Sequence, residues 1–411
     1  MSESLAGRGP GPVRPADTYA DPPGSAAPRV PTPWLALMAG PLSFGIAGPA
    51  LVLDDLARDL STTTGTVTWA VTAFGWGIAV GTPLMTGLLR RRGARAALGA
   101  CGALVLLGAL LVLTVPVLPA VIIGCALQAL GTAGLTSIAM SLTGSARSMG
   151  FVTASLAVVG STAPLVGSLV SDAVNWQATL ALPALSLIGL LAVIGRVSTR
   201  PASTAASDGL GAVLLTAVVT ALVLVPHHPP VAGALSVLTI AALVRHLRRR
   251  PQGFVPAAVV RSPVFLISSV LAFLLAAVNF GLMFAVPDAL ADHTAWSSGE
   301  IGVAMVWPLV LGGALSWVVV ALSAKVGRQQ VVITLVALSV AGVVLASVSV
   351  LAVLLLVAQA LASIAAASGQ GVFAVHSTEA VPDEERPAAI GLFNLCYLLG
   401  AAFGPAVVSL L

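Results

Sequence analysis

Polar and apolar positions along this chain do not alternate at the period of an amphipathic helix or strand. They fall instead into long uninterrupted apolar blocks separated by short polar or basic breaks. A bilayer core of about 30 Å needs roughly 20 helical residues to cross it, so stretches free of charge serve as a ruler. Between Arg95 and Arg147 there are 51 residues without a charged side chain, and between Arg328 and Glu379 there are 50. Each is long enough for two helices joined by a tight turn, at Pro116–Pro119 in the first and near Ser349 in the second. Helices are expected near 34–53, 66–89, 96–115, 118–143, 150–171, 178–195, 210–226, 230–246, 264–287, 300–323, 330–349, 351–375 and 387–411. That is about thirteen spans, grouped as six, two and five. The expected units are a tail over 1–33, a six-helix bundle over 34–196, a linker with two extra helices over 197–262, and a five-helix bundle over 263–411.

Composition excludes the alternatives to a membrane protein. Of 411 residues, 58% are hydrophobic and 8% charged, against roughly 25% charged in an average soluble chain. A soluble globule cannot cover that much apolar surface, and disorder requires the opposite balance. Net charge is only +4 and its basic residues form short clusters, which argues against nucleic-acid binding. Cys101, Cys125 and Cys396 each sit inside an apolar run, as packing residues rather than a disulfide or metal framework. The tail holds eight prolines and no apolar run, a composition for disorder rather than a signal peptide.

Basic residues near span ends set orientation, since they accumulate on the cytoplasmic side. With a cytoplasmic N-terminus, 18 of the 19 Lys and Arg residues fall inside and only Arg58 lies outside. A wrong span count would scatter them over both faces. The run Arg245 to Arg250 reads as an anchor on the anionic inner leaflet. His227-His228-Pro-Pro at the turn between the linker helices reads as a plain turn before it reads as a metal site.

Several motifs, in order along the chain, resemble the major facilitator superfamily, and within it the fourteen-span drug:proton antiporters that include tetracycline exporters. Leu53-Asp-Asp-Leu-Ala-Arg-Asp-Leu60 resembles that group's first-helix ending, with Asp54 in place of proline. Trp69 followed by Thr72-Ala-Phe resembles the opening of span 2. Gly87-Leu-Leu-Arg-Arg-Arg-Gly-Ala-Arg95 resembles the loop after it. Leu127-Gln-Ala-Leu-Gly131, Ala163-Pro-Leu-Val-Gly167 and the Trp176–Pro183 segment are similar to family motifs in spans 4, 5 and 6. Ser298-Gly-Glu-Ile-Gly302 with Pro308 resembles a tetracycline-exporter segment. The Gly-x-x-x-Gly-Pro pattern recurs at Gly400-Ala-Ala-Phe-Gly-Pro405, and Lys325-Val-Gly-Arg328 repeats a basic loop in the second half. Two related halves around a midplane site is the usual construction of secondary transporters.

The resemblance implies an all-α integral membrane protein with a major facilitator fold: two pseudo-symmetric bundles plus two linker helices. It implies a secondary transporter, not an enzyme, in a bacterial plasma membrane, acting as a monomer among membrane lipids. The expected activity is export of small amphipathic compounds by alternating access with proton antiport, with protons and a small-molecule substrate as partners and no cofactor, metal or nucleic acid. Gly87, Arg92, Gly93 and Arg95 in the loop, and Pro164, Gly400, Gly404 and Pro405 in the two Gly-Pro motifs, are the gating candidates. Against that, loop arginines also serve as topology anchors, and Gly and Pro are common in membrane helices.

The same alignment shows departures. The loop aspartate that locks the family's inner gate is replaced by Arg90 or Arg91, and its second-half counterpart by Ala324. The family's embedded acid of span 1 aligns with Gly45 and its span-4 arginine with Cys125. Intramembrane charge is costly and persists mainly where it works, so proton coupling falls to acids at span ends. Adjacent Asp54 and Asp55 are the first candidates, because neighbouring like charges raise one pKa; solvated caps are the competing reading. Substrate contact falls to Trp76, Gln128, Asn279, Trp307 and Asn394, aromatic walls and amides suited to neutral or amphipathic compounds. Amides also bond neighbouring helices. Relatives of this group end on a helix matching span 6, so the second half is expected to lack its sixth helix. That leaves open uptake of an uncharged metabolite, and a degenerate membrane protein that senses or scaffolds.

Overall fold

The computed structural model describes residues 30–197, 208–225, 229–251, 253–296, 298–323, 325–379 and 381–408. Most of the N-terminal tail, the Pro201–Ser207 linker, the His227-His228 pair, Ala324 and the final Leu411 lie outside the described residues. What is described is helical, with no strand among those residues.

The first span is not one helix. Thr32–Ala39 (α1) and Leu42–Ala47 (α2) are followed by a 3-10 turn at Gly48–Leu51 and by Leu53–Asp59 (α3). Pro41 and Pro49 lack the amide a continuous helix would use there. Next come α4 (Thr64–Arg92), α5 (Ala94–Thr114), α6 (Leu118–Ser141) and α7 (Ala146–Ala173). The Thr63 hydroxyl accepts from the Thr66 amide at the start of α4, and Ser145 and Ser148 form a capping box on α7, each satisfying amides that lack helical partners. Gly93, at φ +82°, makes the break between α4 and α5, a conformation that suits glycine. The sixth span is also divided, into α8 (Trp176–Ala181) and α9 (Ser186–Ile194) around a 3-10 turn at Pro183.

The linker supplies α10 (Gly209–Leu224), α11 (Pro229–Arg249) and the short α12 (Ala257–Arg261). The second half is α13 (Pro263–His293), α14 (Ser298–Ser323), α15 (Arg328–Val348), α16 (Ala352–Glu379) and α17 (Arg386–Val408). Ten of these segments are long and apolar enough to span a bilayer; Thr32–Ala47 and Gly209–Leu224 are shorter apolar helices. Multiple crossings make this a multi-pass membrane protein.

Packing repeats between the halves. α6 lies against α4 and α5, as α16 lies against α14 and α15. Small residues permit close approach, as expected where lipid supplies no hydrophobic drive between helices. A Cβ on Gly81 of α4 would sit 2.7 Å from the Leu130 backbone of α6. The Gly-Pro motifs correspond in place: Gly167 of α7 abuts the Gly48 carbonyl of the first span, and Gly404 of α17 abuts the Ala277 carbonyl of α13. Two seams join the halves, α4 with α17 and α7 with α14, and α10 of the linker packs on α4 and α17.

Candidate functional site

Both seams close at the same end of the molecule, where α4, α14 and α16 finish and α7, α15 and α17 begin. In the first seam, Arg90 near the end of α4 is only 6% exposed. Its Nη2 lies 3.0 Å from Glu385 Oε2, just before α17, and its Nη1 donates to the Phe254 carbonyl at 3.4 Å. Burial raises the Glu385 carboxyl above its ordinary range; Arg90 pulls it back in part and neighbouring Glu384 pushes it up. One turn along, the absent side chain of Gly391 leaves room for Thr86. A small crevice there is lined by Pro83, Thr86, Gly87 and Arg90 of α4, Phe254 and Val255 of the linker, and Ala388 and Leu392 of α17.

In the second seam, the Arg147 guanidinium stands 5.4 Å from the centre of the Trp317 ring, joining α7 to α14 by a cation–π contact. Gly150 packs against Val320, and Gly371 of α16 against Val320 and Thr153. The Asn394 amide of α17 lies 3.1 Å from the Met140 sulfur of α6, a further bond between the halves. Farther from this end the facing helices carry exposed apolar side chains: Leu165 and Leu169 on α7, Val303 and Trp307 on α14.

The residues singled out from sequence are not gathered in one place. Trp307 of α14 is 43% exposed. Asn279 accepts from the Gln359 amide at 3.0 Å, joining α13 to α16. Gln128 is fully buried against Gly108 of α5 and its amide has no partner among the described residues. The Trp76 indole donates to the Thr220 hydroxyl of α10 at 2.9 Å, so its polar edge is taken by the linker. Asp55 pairs with Arg58 at 2.9 Å, both well exposed; Asp54 belongs to α3. Gly87 is filled by the Phe254 ring. Arg92 and Arg95 are exposed on either side of Gly93. Pro164 is half-buried inside α7. Gly400 and Gly404 seat α17 on the α13 backbone, and Pro405 lies within the same helix.

Sequence reasoning did not find Glu385, Phe254, Trp317 or Met140 as partners across the seams. It also missed a buried pair in the linker, where Asp208 Oδ1 lies 2.8 Å from His246 Nε2. A signal for that pair existed: Asp208 stands one residue before a glycine-led apolar run, as a helix cap would, and His246 interrupts a basic cluster. The charged side chains buried among the described residues are Arg90, Asp208 and His246, and Arg90 contacts the linker segment after α11. No group of three metal-binding side chains occurs among the described residues.

A sequence model of the Major Facilitator Superfamily matches residues 34–282 and 268–411. No curated protein is significantly similar to the chain in sequence. Among solved structures, the human organic anion transporter MFSD10 (TETRAN) has a TM-score of 0.59 at 16% identity, with 92% of each chain covered. The proton:xylose symporter XylE, bound to 6-bromo-6-deoxy-D-glucose, has a TM-score of 0.57 at 14% identity, covering 92% of this chain and 87% of that one.

Proposed function

We propose, from the premise that this chain belongs to the major facilitator superfamily, that it exports small amphipathic compounds across a bacterial plasma membrane in exchange for protons. Secondary transport follows from the family; the direction, cargo and coupling ion are our reading. The observation that carries it is the placement of polarity. Buried charge among the described residues is confined to one end, while the amides singled out from sequence, Gln128, Asn279 and Asn394, are buried and uncharged and the Trp307 ring is exposed. A binding region of that kind suits a ligand with an apolar body and few fixed charges.

The closed end carries the basic loops, so we take it as the cytoplasmic side and the conformation as closed towards the cytoplasm. Alternating access then requires the Arg90–Glu385 and Arg147–Trp317 contacts to break and re-form in each cycle. Here the base, Arg90, is on the first half and the acid, Glu385, on the second. Gly93 with its positive φ, and the paired Gly-Pro motifs at Pro164 and Pro405, are the places where we expect the helices to flex. Asp54 and Asp55 are the acids we assign to proton exchange.

Purified protein in proteoliposomes tests this directly. A panel of cationic, neutral and anionic amphiphiles is assayed with and without an imposed pH gradient. Gradient-driven movement of neutral or amphipathic compounds is expected. Movement that ignores the gradient refutes antiport, and no transport of any compound refutes the transporter reading. Asp55→Asn should lose gradient dependence; if it retains it in full, the proton assignment is wrong.

A further inference from the structure

The two linker helices make more than a tether. Asp208 is 3% exposed, yet both its oxygens are occupied. Oδ1 accepts from the Gly211 amide at 2.9 Å and lies 2.8 Å from His246 Nε2, while Oδ2 accepts from the Phe254 amide at 2.9 Å. The beginning of α10, the end of α11 and the segment after α11 are thus gathered on one carboxylate. That segment is drawn in tightly: the Gly253 amide donates to Arg250 and the Ala257 amide to Pro251, and a side chain on Gly253 would collide with Asp208.

Residue 254 faces two ways. Its amide is held by Asp208, its carbonyl accepts from Arg90 Nη1, and its ring fills the notch at Gly87 of α4. Arg90 Nε has no partner among the described residues. Orientation of this guanidinium therefore rests on the Phe254 carbonyl on one side and Glu385 on the other. A guanidinium is a rigid planar fork, so fixing one arm fixes the direction of the other.

We propose that Asp208, acting through Phe254, is a positioning residue for the Arg90–Glu385 gate, and that the linker helices are a working part of that gate. The inference rests on the gate reading given above. Asp208 touches neither cargo nor Glu385; it sets where the Phe254 carbonyl stands and so where Arg90 points. His246 contributes by donating to the same carboxylate.

Nitroxide labels on Ala96→Cys and Glu379→Cys, exposed positions in the two halves at this end, report opening there. The three native cysteines are replaced by alanine, and distances are measured in reconstituted full-length protein. The parent should give one short, narrow distance. Asp208→Asn and Phe254→Ala should each raise the longer, open population at least about fivefold, the lower range of typical coupling between sites. His246→Gln, which keeps a donor, should remain closed, whereas His246→Ala should open. Arg90→Gln is the reference for a broken gate. If it opens while Phe254→Ala and Asp208→Asn stay closed, the linker role is overturned and the gate stands. If Arg90→Gln itself stays closed, the gate reading falls and this inference with it. Phe254→Ala keeps the backbone amide and carbonyl and removes only the ring from the notch at Gly87, so the His246→Ala and His246→Gln pair decides the matter if Asp208→Asn fails to fold.

Discussion

Removing Arg90 alone from the Arg90–Glu385 pair should harm the closed state more than removing both partners. At 3.0 Å, two unit charges attract by about 5.5 kcal/mol at an effective dielectric of 20. Desolvation opposes this, and the Glu385 carboxyl is held net above its ordinary range despite Arg90 beside it. The attraction therefore does not fully offset the cost of burying the carboxylate. In Arg90→Gln that carboxylate is left in the seam without its counter-charge, the arrangement that costs most. In Glu385→Gln, Arg90 keeps the Phe254 carbonyl and gains an amide oxygen to donate to. We expect Arg90→Gln to shift the equilibrium towards opening by about 1.5–3 kcal/mol, roughly 10- to 150-fold in population. Glu385→Gln, a neutral stand-in for the protonated carboxyl that the closed seam favours, should not open it. The double variant should return to within about fivefold of the parent, because neutral pairs of similar shape can replace a buried ion pair at little cost. Spin-label distance distributions for the four proteins give the populations and close the thermodynamic cycle. Additive single effects, or a double variant more open than Arg90→Gln, would refute the reasoning.

Three further outcomes can be checked with the same material. Because the Glu385 carboxyl has a raised pKa in the closed seam and returns to its ordinary value when the seam opens to water, the closed state binds the proton more tightly. Acidification through that window should increase the closed population and alkalinisation should diminish it, with Arg90, Glu384 and the nearby Asp383–Arg386 pair unchanged; the dependence should vanish in Glu385→Gln, and persistence there would assign it to another group. Gly404→Val places a side chain against the Ala277 carbonyl and should lower stability by at least about 1–3 kcal/mol, read as a fall in unfolding temperature, whereas Gly99→Ala meets nothing within 4 Å and should not. Thr220→Val removes the acceptor for the Trp76 indole and should cost about 1 kcal/mol, and an equal loss in the Trp76→Phe/Thr220→Val double variant would confirm that the two act as one contact.

Long apolar blocks and the distribution of arginine made the helical membrane fold legible, and motif order made the superfamily legible. Breaks within spans were less so: Pro41, Pro49 and Pro183 lie in apolar runs that read as continuous, and only tertiary packing decides whether proline kinks a helix or divides it. The site was harder still, for a physical reason. Polar side chains in lipid are satisfied by whatever neighbour the fold brings near, and a single sequence does not disclose that neighbour. Trp76 read as a wall of the path because it is aromatic and mid-helix, yet its indole nitrogen is engaged by α10. The arginines at 90–95 read as one cluster, but Arg90 is buried while Arg92 and Arg95 are exposed. Helical phase selects Arg90: it lies on the face of α4 that Pro83, Thr86 and Gly87 turn towards α17 and the linker.

Concentrating charge at one end of the seams has a mechanical consequence. Elsewhere in the seams the halves meet through small and β-branched side chains, such as Gly313 against Val158 and Gly371 against Thr153. Those contacts are short-ranged and non-directional, so they are lost over a small separation and regained without a specific orientation. The ion pair and the cation–π contact differ, being directional and reaching farther. Placed together at one end, they are expected to make that end the last to release and the first to recapture. A chain with a buried charge pair at midplane would have to desolvate it afresh in every cycle, at several kcal/mol per ion. This chain keeps its pairs beside the basic loops, where water takes over their solvation as the seam parts. Moving the pair inward, for example as Gly391→Glu with Thr86→Arg in an Arg90→Gln/Glu385→Gln background, should therefore slow turnover even where the closed state is restored; an unchanged turnover would show that position along the seam does not matter.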